Sequence, residues 1–113
     1  MNIEAKVIEY LRGALGTNAV YAEVPEAPEA EYYVVDKTGS RMTDRITSST
    51  IAIQTYGPSK LRASEMNEDV KEAMDGFVLL DEIGSCRLNS DYNFTNTARR
   101  QHRYQSVWDV THY

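Results

Sequence analysis

A chain of 113 residues, 42% hydrophobic and 26% charged, suffices for one domain around one core, with no metal or disulfide needed to close it. Its net charge of −5 argues against tight, sequence-independent nucleic-acid binding, which needs clustered Lys and Arg. The single cysteine, Cys86, excludes an internal disulfide and suits a cytosolic protein; no stretch approaches the ~18 apolar residues of a membrane span, and no basic-then-apolar N-terminus marks a signal peptide.

Residues 3–14 read as a helix, with Ile3, Val7, Leu11 and Ala14 on one stripe and Gly13 and Gly16 at its end. Val20 to Val24 alternates as a strand, which Pro25 and Pro28 terminate because neither can donate a ladder hydrogen bond. An acidic loop follows, Glu26 to Glu31. Tyr32 to Asp36, aromatic and β-branched, is a strand. The polar, glycine-bearing stretch Lys37 to Asp44 is expected to be a hairpin loop. Ile46 to Tyr56 is a long strand, with Ile51, Ile53 and Thr55 on one face.

Ser59 and Pro58 suit the start of a helix over about Lys60 to Asp75. Ala63, Met66, Val70, Ala73, Met74 and Phe77 line its apolar face, while Arg62, Glu65, Glu68, Asp69 and Glu72 lie opposite. Gly76 is available for a left-handed cap. Leu80 to Ile83 has strand character. Cys86, Leu88, Ser90 and Tyr92 are expected on one side of a further strand, and Tyr104, Ser106, Trp108 and Val110 on one side of the last. The order α-β-β-β-α-β-β predicts a single α+β domain: a mainly antiparallel sheet of about five strands, with two helices on one face.

No residue set reads as catalytic. Cys86, mid-strand beside Leu88, is read as a buried and inert thiol. His102 and His112 share a strand face but stand roughly 30 Å apart by strand rise, too far for one metal. Glu65, Glu68, Asp69 and Glu72 read as a solvated helix face rather than a Mg²⁺ site. Eight tyrosines and one tryptophan divide between core and interface roles, Trp108 on the core side. Cofactors and metals are therefore not expected.

Several phrases carry a resemblance. Val20-Tyr21-Ala22-Glu23-Val24-Pro25 ends a strand. Tyr33-Val34-Val35 leads to Thr38-Gly39. Gln54-Thr55-Tyr56 leads to a helix running from Ala63 to Val70, and His102-Arg103-Tyr104-Gln105 opens the last strand. In this order, over nearly the whole chain, they resemble the tail-terminator (tail-completion, minor tail) proteins of long-tailed bacteriophages, although His102 replaces the expected aromatic. The resemblance implies a virion structural protein, not an enzyme. It would form a ring, typically hexameric, at the head-proximal end of the tail. The ring would stop tube growth and dock the head connector.

Its partners would then be further copies of itself, the tail tube protein and the connector. It would assemble in the host cytoplasm, and DNA would pass through without specific binding, repelled by an acidic lumen. A ring needs unlike patches that meet across each contact. One expected pairing sets the acidic row Glu23, Glu26, Glu29 and Glu31 against the basic cluster Arg99, Arg100 and Arg103. The stretch containing Lys37, Arg41, Asp44 and Arg45 is a second expected contact with a neighbouring ring or tube subunit. Alternative readings are a neck or head-closure connector, a small metal-dependent nuclease, and a cytosolic protein-binding module that uses a strand edge.

Overall fold

Asn2 starts the first helix by accepting the Ala5 N–H at 3.1 Å, and α1 runs Ile3–Leu15. Gly16 ends it in the left-handed region at φ 67°, with its N–H bonded to the Arg12 carbonyl. The computed structural model describes residues 1–113 and continues with β1 (Val20–Tyr21), β2 (Tyr32–Thr43) and β3 (Ile46–Gly57). Ser59 then caps α2 (Lys60–Asp75) by accepting the Arg62 N–H at 3.1 Å. A single 3-10 turn (Phe77–Leu79) leads into β4 (Ile83–Asn93) and β5 (His102–His112).

The five strands form one sheet in the order β1-β2-β3-β5-β4. Every pairing is antiparallel except β1 with β2. Both helices cover one face. Ile3, Val7 and Leu11 of α1 and Met66, Val70 and Met74 of α2 pack with Phe77 onto Val35, Ile51, Ile53, Trp108 and Val110. Each of these side chains is at most 2% exposed, so this layer carries the hydrophobic stabilisation. Tyr10 locks the helices together, donating its O–H to the Ala73 carbonyl at 2.6 Å and meeting Phe77 edge-on.

The expected fold class and element order hold, with local corrections. The first strand stops at Tyr21 rather than Val24. Lys37 to Thr43 is not a loop: apart from a bulge at Thr38 it pairs with β3, leaving a two-residue turn at Asp44-Arg45 with φ 51° and 67°. Leu80 to Glu82 is a turn, and the strand begins at Ile83. Gly76 caps α2 in the right-handed region, φ −85°, not the left-handed one.

Bulges account for the remaining departure. The register between β4 and β5 shifts between Leu88 and Ser90. Cys86 and Leu88 oppose Val110 and Trp108 on the helix side, whereas Ser90 and Tyr92 oppose Val107 and Gln105 on the other. The same shift turns Asp91 toward α2. There it accepts from Asn67 Nδ2 at 2.6 Å and from Lys71 Nζ at 2.7 Å.

Candidate functional site

The face of the sheet opposite the helices has no second layer over it. At one end, Tyr32 and Tyr56 stack at 4.4 Å, and Ala19, Val34 and the half-buried Tyr21 complete a small aromatic cluster. Arg103 sits beside this cluster. Its guanidinium lies 4.4 Å from the Phe94 ring centroid, its Nε donates to the Phe94 carbonyl at 2.7 Å, and its Nη1 donates to the Tyr56 hydroxyl at 3.2 Å. Tyr56 donates its own O–H to Gln54 Oε1 at 2.8 Å, and Gln54 Nε2 donates to Gln105 Oε1 at 3.1 Å. A polar chain therefore runs across two strands and fixes side chains that no helix covers.

At the other end the open face is hydroxyl-rich and carries charge. Arg41, Ser48, Thr50, Arg87, Asp109 and Thr111 line a shallow concavity of about 640 Å³. Strand pairing sets them side by side: Arg41 opposite Ser48, Ser48 opposite Thr111, and Arg87 opposite Asp109.

Both edges of the sheet are unpaired over much of their length. β1 covers β2 only at Tyr33 and Val34, and a Glu4 carboxylate oxygen accepts the Lys37 N–H at 3.0 Å. From Gly39 onward β2 pairs on one side only, and β4 pairs only with β5. Exposed edge strands offer rows of N–H and C=O groups to another chain.

The expected contact residues divide by local structure. Glu31 is held within the chain by Arg62, at 2.6 and 3.1 Å, and the guanidinium keeps its carboxyl below the usual range. Glu29 accepts the Tyr21 O–H. Arg103 is tied to Phe94 and Tyr56. Glu23, Glu26, Arg99, Arg100, Lys37, Arg41, Asp44 and Arg45 are exposed and make no ion pair within the chain. The acidic loop and the basic loop lie at the same end of the sheet, where Ala30, Tyr32, Tyr56, Arg99 and Arg100 border one cavity of about 310 Å³. Lys37, Arg41, Asp44 and Arg45 lie at or toward the far end of the β2–β3 hairpin.

Arg87, Asp81 and Glu82 are not among the contact residues expected from the sequence. All three are exposed at the β4 edge. Their charge is legible in the sequence, but it becomes useful only once β4 is known to be an edge.

The titratable groups inside the fold are quiet. Burial, with some help from the Asp75 charge, pushes the Cys86 thiol up to about 11, so it is protonated at neutral pH. His112 is 4% exposed and contacts the Ser49 hydroxyl through Nε2 at 3.0 Å; burial lowers its pKa and favours the neutral ring. His102 and His112 stand at opposite ends of β5. No group of three or more His, Cys, Asp or Glu is arranged to hold a metal, and no helix is long and apolar enough to cross a membrane.

No protein-family model matches this chain, and no curated protein matches it in sequence. Among solved structures, its fold is shared by a chain from the virion of a native gene transfer agent particle. The TM-score is 0.74 and the identity 17%, over 97% of this chain and 93% of that one. At that identity the likeness is one of fold.

Proposed function

We propose that this protein is a phage-type virion structural protein: a tail terminator that forms a ring at the head-proximal end of the tail tube. The ring ends tube polymerisation and presents the surface to which the head connector docks. The observation that carries this reading is the likeness of fold to a virion component along nearly the full length of both chains.

The distribution of surfaces supports it. The helices complete the core on one face, while the opposite face and two unlike strand edges remain available for contacts. Unlike edges favour head-to-tail contacts, which close into rings, over the two-fold contacts of a dimer. In this reading the partners are further copies of the chain, typically six to a ring by family resemblance, together with the tube protein and the connector. DNA passes without specific contact, and assembly takes place in the host cytoplasm. The role is structural rather than enzymatic.

Light scattering on a sizing column, across concentration and salt, tests this reading. A discrete species of several subunits, formed alone or on addition of tail tubes, is the expected result. A monomer that ignores tubes would favour a protein-binding module working through a strand edge, a reading the two free edges also suit.

A further inference from the structure

The sheet's two free edges match each other in level, direction and charge. Register fixes the level. Gly39, Thr50, Asp109 and Arg87 follow one another straight across the sheet, as do Ser40, Ser49, Val110 and Cys86, and Arg41, Ser48, Thr111 and Ser85. The free part of β2 beyond its bulge therefore lies level with Ser85 to Arg87, the regular stretch of β4 between its two register shifts. Direction follows from the pairing: β2 and β4 are antiparallel to each other, because three antiparallel steps separate them. Rotation about an axis close to the strand direction preserves strand direction. It would bring β4 of one copy antiparallel beside β2 of the next.

Charge matches at the hairpin end. On the β2 side the hairpin carries Arg41 and Arg45. On the β4 side the signs are reversed: Asp81 and Glu82 stand just before β4, whose first residue, Ile83, lies level with Met42 through His112 and Thr47. None of these four side chains has an ion-pair partner within the chain. An edge that met its own kind would set like charges together; β4 against β2 of the next copy sets opposite charges together at this end.

We propose that the occupant of each free edge is the opposite edge of a second copy of this chain. Gly39 to Arg41 of one copy pairs with Ser85 to Arg87 of the next, which continues the sheet from subunit to subunit. The opposite charges at the hairpin end fix the register of this short ladder. The contact is heterologous and level, so it propagates into a ring rather than stopping at a dimer. This proposal rests on the ring reading above and names the contact that would build the ring.

Arg41→Cys and Ser85→Cys, introduced together in a Cys86→Ala background, test it. Within one chain the two positions lie three strand spacings apart, about 14 Å, beyond the ~7 Å that a disulfide can span. Mild oxidation of the assembled full-length protein should therefore give a ladder of covalent multimers, which neither single substitution gives. Arg41→Glu with Arg45→Glu, on exposed positions, should weaken assembly at least tenfold, and adding Asp81→Lys with Glu82→Lys should restore it. A ring that forms but neither cross-links nor responds to charge reversal overturns the edge contact and leaves the ring reading standing. A protein that never assembles, with or without tail tubes, overturns both.

Discussion

The two faces of the sheet are built by different rules. On the helix side the central positions are sealed and mostly apolar: Val35, Ile51, Ile53 and Trp108 meet Val7, Leu11, Val70 and Phe77 with almost no exposure, and Thr55 and Ser106 are the buried polar exceptions. On the open side the aromatic cluster ends at Tyr56, and beyond it come Ser48, Thr50, Thr111, Arg41 and Arg87. The same strands supply both faces, so alternation alone separates a face that holds the fold from one left free for contacts. The charges follow the same division. Acids predominate in α2 and in the stretch before β2, while Arg41, Arg45, Arg87, Arg99, Arg100 and Arg103 come from the sheet and its connections.

Substitutions on the two sides should therefore separate widely. Phe77 is fully buried beneath both helices. Phe77→Ala should cost about 3–5 kcal/mol, through lost transfer energy and the cavity left behind. Arg87→Ala, on the open side, should stay within about 0.5 kcal/mol. Urea unfolding of the two variants makes the comparison, and similar losses would show that the open face contributes to the fold.

A smaller effect comes from the two glycines of the β2–β3 hairpin. A Cβ on Gly57 would stand 2.8 Å from the Ala63 backbone nitrogen and 3.1 Å from its Cα, because α2 starts hard against the end of β3. Backbone cannot yield as a side chain can, so Gly57→Ala should cost about 1–3 kcal/mol. Gly39, on the free edge, has nothing within 4 Å of that position. Gly39→Ala should leave the thermal midpoint nearly unchanged, and a large shift there would mean that the edge is packed.

Where burial leaves a pattern, the sequence was readable. Ser59 and the apolar stripe from Ala63 to Met74 placed α2 at Lys60 and Asp75, and Trp108 was placed in the core. Where neither face of a strand is buried, no period survives. Lys37 to Thr43 is polar on both sides and reads as a loop, yet apart from the bulge at Thr38 its backbone pairs with β3. The β4 bulge is equally silent, because one extra residue reverses facing without changing composition. The charge of the candidate contact residues is legible, but their places around the sheet depend on long-range pairing that no local pattern records. That pairing includes the parallel join of β1 to β2.

The turn at Asp44-Arg45 offers the smallest and most selective change. Both residues have positive φ, as a two-residue turn between twisted strands requires, and the second position suits glycine far better than arginine. Arg45→Gly should relieve that strain, less the backbone entropy glycine adds to the unfolded chain, for a net gain of about 0.5 kcal/mol. If the Arg45 side chain serves only the turn, the variant should be more stable and assemble normally. If it lies opposite Asp81 and Glu82 of a neighbouring copy, the subunit should become slightly more stable while the assembly weakens. Thermal unfolding of the subunit, read beside light scattering of the assembled form, distinguishes these outcomes. A rise in one with a fall in the other is the expected result, because a strained arginine at an exposed tip is then retained for a contact that only the assembly makes.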